Sequence, residues 1–122
     1  MEALLTDLLA PVAGGKRFWV RAPQGTKPPY AVLQGISGVR DYHSQGASGL
    51  VESRVQIDCY AKTYDGVKDV ARCVVALLSG RRVGIIQAIF VVSERDLPAA
   101  DAGEVTNLFR TSIDIMVHHK ET

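Results

Sequence analysis

Three groups of side chains in this 122-residue chain are of types that could do chemistry. His43 stands two residues after Asp41 and next to Ser44, the residue types of a nucleophilic triad. A triad works only when the fold holds hydroxyl, imidazole and carboxylate at hydrogen-bond distance. Here all three share one polar, glycine-bearing stretch, Gly38 to Ser48, so their order specifies no catalytic geometry. His118 and His119 are adjacent. Successive side chains of a strand point to opposite faces, so the two cannot chelate one metal, and a solvent-facing terminal pair is expected. Asp96, Asp101 and Glu104 form an acidic stretch that could attract a cation. Their spacing is not that of a calcium loop, which leaves solvated charge.

The remaining candidates are structural. Cys59 and Cys73 are two cysteines in a chain too long and too cysteine-poor for a disulfide scaffold. Cys59 falls on the dry face of a predicted strand and Cys73 within a predicted helix, and both read as small buried hydrophobes. The stretches Gly35 to Gly38 and Gly46 to Gly49 lack the lysine and following helix that a phosphate-cradling loop requires, so they read as turn and bulge glycines. Arg81 and Arg82 follow a predicted helix, where the helix dipole favours cations. No cofactor box and no metal-ligand spacing is found, and no catalytic residue is assigned.

The totals narrow the classes further. Fourteen Lys and Arg against thirteen Asp and Glu give a net charge of +1, without the basic surplus of a general nucleic-acid binder. Hydrophobic residues at 47% and charged residues at 22% are a globular balance, and the length suits one domain, residues 1–122. No secretory signal is visible, and the longest apolar runs, such as Val83 to Val92, are too short to span a bilayer. A protein made in the cytosol is expected.

The elements that must position these residues are organised around Leu50 to Leu78. Val51, Val55, Ile57, Cys59 and Ala61 alternate with Glu52, Arg54, Gln56 and Asp58, which predicts a strand with one dry and one wet face. From Thr63 the period lengthens: Val67, Val70, Ala71, Val74, Leu77 and Leu78 form the apolar stripe of a helix. Thr63 or Asp65 can cap its start, and Gly80 can end it. Before this unit, Leu4, Leu5, Leu8, Leu9 and Val12 predict an N-terminal helix ended by Pro11 and Gly14-Gly15. Phe18 to Val20 is a brief strand, Arg21 to Pro29 a loop in which Pro28-Pro29 can be cis, and Tyr30 to Ser37 a strand with Tyr30, Val32 and Ile36 on one side. Gly38 to Ser48 is a loop or the mobile tip of a hairpin, overlong for a connection and therefore a candidate contact surface. Ile85 to Glu94 is apolar on both faces, so it is either central in a covered sheet or covered by a neighbouring subunit. Arg95 to Glu104 reads as exposed and polar, and Val105 to His118 as the last strand. The order α-β-β-β-α-β-β predicts an α+β two-layer sandwich: a mainly antiparallel sheet with two helices on one face.

Several segments, taken in order, resemble the small tail-completion proteins of long-tailed phages. They are Ala22-Pro23-Gln24-Gly25 leading to Pro29-Tyr30, then Ile36-Ser37-Gly38, then Val55-Gln56-Ile57-Asp58 with Tyr60 and Thr63-Tyr64. Ser93-Glu94-Arg95-Asp96, followed by Arg110, Asp114 and Ile115, completes the set. Related proteins occur in prophages and in gene-transfer particles. The chain departs from the family pattern at Met116-Val117-His118, where an aromatic residue is often seen. The resemblance implies a tail terminator or head–tail joining protein of the virion. Such a protein forms a ring, commonly a hexamer, that stops growth of the tail tube, docks to the head connector and lets DNA through its lumen. Its partners would be copies of itself, the tail tube protein and the connector protein, with DNA only in transit, no membrane and no cofactor. The contact residues expected for such a ring are Arg40, Asp41, Tyr42 and His43 in one polar stretch and Arg95, Asp96, Leu97 and Asp101 in the other. Two other readings stand beside it: a small-molecule- or nucleotide-binding α+β enzyme with Arg40, Asp41 and His43 in its site, and an oligomeric adaptor unrelated to phage.

Overall fold

A computed structural model describes residues 2–40, 50–98 and 108–120, with the backbone alone described at 37–40, 50 and 98. Helix α1 (Glu2–Leu8) leads through a turn and a 3-10 segment (Val12–Gly15) into β1 (Arg17–Trp19). Then follow β2 (Tyr30–Arg40), β3 (Leu50–Ala61), α2 (Tyr64–Leu78), β4 (Ile86–Pro98) and β5 (Phe109–Lys120). The five strands form one sheet in the order β1-β2-β3-β5-β4, antiparallel throughout except that β1 runs parallel to β2.

Alternation along β3 decides which face is covered. Val55, Ile57, Cys59 and Ala61 are buried, and their cross-strand neighbours Ile113 and Ile115 on β5 lie on the same side. Ala31 and Leu33 of β2 and Ile86 and Ile89 of β4 extend this floor. On it sit Val67, Val70, Ala71, Val74 and Leu78 of α2, together with Leu5 of α1 and the following Leu9 and Val12. Both helices therefore cover one face of the sheet, and the α+β sandwich is as the sequence predicts. Thr63 caps α2 with its Oγ1, which accepts from the Gly66 N–H at 2.9 Å. The chain leaves α2 at Gly80 with φ +70, a conformation that a Cβ disfavours. The Arg81 Nε donates to the Leu77 carbonyl at the same helix end.

The structure settles or corrects the sequence reading in five places. The covered side of β2 is that of Ala31 and Leu33, while Ile36 is 49% exposed at a register shift between Gly35 and Ser37. Of the two places open to β4, central in the sheet or covered by a neighbouring subunit, the strand order excludes the first, since β4 is outermost. Ile89 faces the core and Phe90 the other side by plain alternation, and Val92 sits at a register shift between Val91 and Ser93, so the strand is apolar on both faces with Phe90 and Val92 exposed. Arg95, Asp96 and Leu97 lie in that strand, paired with Ser112, Thr111 and Arg110, instead of in a loop. Gly38 to Arg40 likewise continue β2, paired with Ser53 to Val51. Finally, His118 and His119 are not a solvent-facing pair. His119 is 8% exposed, its Nδ1 donates to the Lys120 carbonyl, and in the neutral ring its Nε2 accepts from Ser53 Oγ at 2.8 Å. His118 lies on the opposite face, edge-on to Phe90. The peptide bond between Pro28 and Pro29 is cis.

Candidate functional site

Of the eight residues expected to make contacts, Arg40, Arg95, Asp96 and Leu97 fall within the described residues, and the structure does not bring them together. Arg40 ends β2, whereas Arg95 to Leu97 lie in the second half of β4, across the sheet beyond β3 and β5. Asp41, Tyr42, His43 and Asp101 lie outside the described residues, as do Ser44 and Glu104 of the triad and cation patterns. The candidate surface is thus two separate strand edges joined by the uncovered face of the sheet.

On the helix side of β4, Asp96 is held from several directions. Lys68 of α2 reaches it at 2.9 Å and Glu94 at 3.1 Å, while Thr111 Oγ1 and Tyr64 Oη donate to the same carboxylate. These hydrogen bonds, that of Lys68 foremost, keep the Asp96 carboxyl below its ordinary range. The bond to Asp96 correspondingly raises the Lys68 ammonium above its own. Asp96 is therefore a fixed carboxylate with its lone pairs engaged, a brace between α2, β4 and β5 and not a free acid. Beside it Tyr64, Val67, Leu97 and Phe109 line an apolar hollow of about 320 Å³. The Tyr64 and Phe109 rings meet edge to face there at 6.2 Å.

The uncovered face carries a second network. Arg110 reaches Asp58 at 3.0 Å, Gln56 donates to the same carboxylate, and the guanidinium lies 5.9 Å from the Tyr60 ring centre. Tyr60 in turn stacks on Tyr30 at 4.9 Å. Asp58 is 8% exposed, although the alternation of β3 places it on the face expected to be wet. Nearby Arg54 Nε, Arg110 Nε, Ser112 Oγ and Asp114 Oδ1 are buried without a hydrogen-bond partner among the described residues. An open groove of about 630 Å³ runs from this network along the Arg21 to Pro28 loop, with Arg21, Lys27 and Lys62 at its rim. Its position differs from the Gly38 to Ser48 stretch that the enzyme reading requires.

The reactive groups found are quiet ones. Burial pushes the Cys59 thiol up to about 12, with Asp58 and Glu94 adding to the effect, so it stays protonated and unreactive. Cys73 is a half-buried free thiol. Among the described residues no cluster of His, Cys, Asp and Glu could hold a metal, and no helix is long and apolar enough to cross a membrane. Sequence reasoning missed the Lys68–Asp96 brace and the Asp58–Arg110 pair. Each joins residues far apart in the chain: Asp58 and Arg110 meet across paired strands and Lys68 reaches Asp96 from the helix above, so the signal appears only once strand register and helix placement are known.

With this arrangement described, the comparison with known families is decisive. A family model described as "Tail completion protein gp17" matches residues 2–119. The chain belongs to that family. The tail completion resemblance read from the sequence is thereby borne out, and the chain is a structural protein of a phage tail. Its fold is similar to that of a chain in a solved structure titled "Virion of native gene transfer agent (GTA) particle", with a TM-score of 0.59 at 12% identity. The likeness covers 97% of this chain and 85% of that one. No curated protein matches the chain.

Proposed function

We propose that this tail completion protein closes into a ring, a hexamer by the family resemblance, at the head-proximal end of the tail. There it ends growth of the tube, joins it to the head connector and lets DNA pass through its lumen. The observation that carries the reading is the family match across residues 2–119. The geometry supports it in a particular way. Closed rings of identical subunits need two different surfaces on each copy, one for each neighbour. The contact residues proposed for the ring divide between two opposite strands: Arg40, with Asp41, Tyr42 and His43 following it, against Arg95, Asp96 and Leu97, with Asp101 beyond. The net charge of +1 suits a lumen that lets DNA slide, because every phosphate held would add salt-dependent affinity.

The reading is tested by adding gold-labelled protein to purified, head-free tails and imaging them. Label at one tube end, the end that later receives heads, is the expected result. Label spread along the tube or at the distal tip contradicts it.

A further inference from the structure

The sheet ends on two free edges of a single chain. On one side β1 covers only Ala31 to Leu33 of β2, and the last bond there runs from the Val20 N–H to the Leu33 carbonyl. Among the described residues nothing pairs with that side of β2 from Gln34 to Arg40. On the other side β4 is outermost, and the turn after α2 meets it only near its start, where the Gly80 N–H donates to the Ile89 carbonyl. From Phe90 to Pro98 no described segment pairs with its outer edge. Backbone amides and carbonyls are obligatory hydrogen-bonding groups, and a long free edge is a template for another strand. Protected edges usually carry lysine or proline. Here charge and proline gather at one end of each stretch, Arg40 on β2 and Glu94, Arg95, Asp96 and Pro98 on β4, and leave Ile36 at 49%, Phe90 at 54% and Val92 at 49% exposure.

We infer that the two edges pair with each other between copies: residues 90–98 of β4 in one subunit add to residues 34–40 of β2 in the next. The inference rests on the ring reading and supplies the contact that closes the ring. Three observations favour this occupant. Along β2-β3-β5-β4 every neighbour is antiparallel, so β4 and β2 run in opposite senses. A copy placed beside the first in the same orientation therefore meets it antiparallel and continues the ladder. Each free stretch also bears one bulge, at Gly35–Ser37 and at Val91–Ser93, so both edges are locally twisted and resist a flat partner. Finally, the stretches sit at different heights. Ser37 shares a row with Arg54, Met116 and Phe90, whereas Glu94 shares one with Ile113, three residues along β5. At roughly 3.4 Å per residue this is a stagger of about 10 Å. Stagger between neighbours is what tilted strands need in a sheet that runs around an axis.

The test uses two full-length variants that leave the covered face untouched. One carries Phe90→Lys and Val92→Lys on β4, the other Gln34→Lys and Ile36→Lys on β2, all at exposed positions. Circular dichroism confirms that each folds. Sedimentation velocity and hydrogen exchange are then read for the wild type, each variant, and their equal mixture. Each variant alone should be monomeric, with self-association weakened at least tenfold. The mixture should stop at heterodimers, because each partner keeps one good edge. Exchange in the mixture should slow at residues 34–40 in the β4 variant and at 90–98 in the β2 variant. If the β2 variant still dimerises by itself, β4 pairs with β4 and the inference is wrong. If the wild type and both variants all form rings, the ring reading stands and edge pairing fails. A wild type that never assembles, in solution or on tail tubes, sinks the ring reading itself and the inference with it.

Discussion

Replacing Arg110 by alanine should cost this fold more than any ordinary surface truncation. The Arg110 and Asp58 side chains are 17% and 11% exposed and lie 3.0 Å apart, so neither is well solvated. Removing one partner of a fully buried pair costs about 3–5 kcal/mol, because the other charge stays desolvated. Two features reduce that figure here: residual exposure, and the Gln56 amide, which still donates to Asp58 at 3.0 Å and 3.2 Å. Loss of the guanidinium beside the Tyr60 ring adds roughly 0.5 kcal/mol. The expected loss is about 2–3 kcal/mol. With an unfolding entropy of about 2.1 cal/mol/K per residue, 1 kcal/mol shifts Tm by about 4 °C in a chain this long, so Tm should fall by about 8–12 °C. Asp58→Ala should cost less, about 1–2 kcal/mol, because the longer Arg110 side chain can swing toward water. The double variant should lose clearly less than the sum, leaving a coupling of about 1–2 kcal/mol in a thermal or urea cycle followed by circular dichroism. An Arg110→Ala loss under about 0.5 kcal/mol, or a coupling of zero, would mean that the pair behaves as a surface ion pair and that the reasoning about this face is wrong.

The remaining predictions are shorter. Thr63→Ala removes the cap of α2 and should cost about 1 kcal/mol, near 4 °C in Tm, whereas Thr63→Ser should retain most of it. Ile57→Asp and Val74→Asp each place a charge at a position with no exposure and should yield insoluble protein in expression trials, because stability totals only ~5–15 kcal/mol. Asp96 is depressed below 3.8, so its stabilisation is present above that value and is lost as pH falls through its lower folded pKa. Lys68 is raised above 10.5, so its share is present below that value and is lost as pH rises beyond it. Melting curves across pH should show both edges in the wild type, and in Lys68→Met the alkaline edge should vanish while the acid edge shrinks but persists, because Thr111 and Tyr64 still donate to Asp96. Arg95→Glu, at an exposed position, should change Tm by less than about 2 °C while impairing ring assembly or tail docking, read by sedimentation and by binding to purified tails.

The sequence made legible what depends on local period and composition. The strand-to-helix unit from Leu50 to Leu78, its Thr63 cap, the N-terminal apolar helix and the layer architecture all follow from spacing within one element. What it hid depends on register between elements. The run of β4 is apolar on both faces as read, but composition does not tell a central strand from an outer one with Phe90 and Val92 exposed. The stretch Arg95 to Glu104 read as loop because it is polar and holds a proline and a glycine, yet Arg95 to Leu97 are cross-strand partners of Ser112 to Arg110. That pairing decides what Asp96→Lys should do. As a loop residue it would tolerate the change; as the carboxylate that holds Lys68 and Thr111, it should not. His119 and Asp58 show the same limit, since a polar residue is legibly buried only when its partners, Ser53 and Arg110, can be placed opposite it. The contact residues proposed for the ring come from the family resemblance, and only the strand order shows that Arg40 and Arg95 to Leu97 stand on opposite sides of the sheet.

The central claim is that this chain ends the growth of a tail tube and caps it. The most direct measurement is the length distribution of tails, seen by negative-stain microscopy, from particles whose gene for this chain is deleted. Tails of unregulated length without attached heads, restored to uniform length when the chain is supplied, are the expected result. Uniform, head-bearing tails in its absence would contradict it.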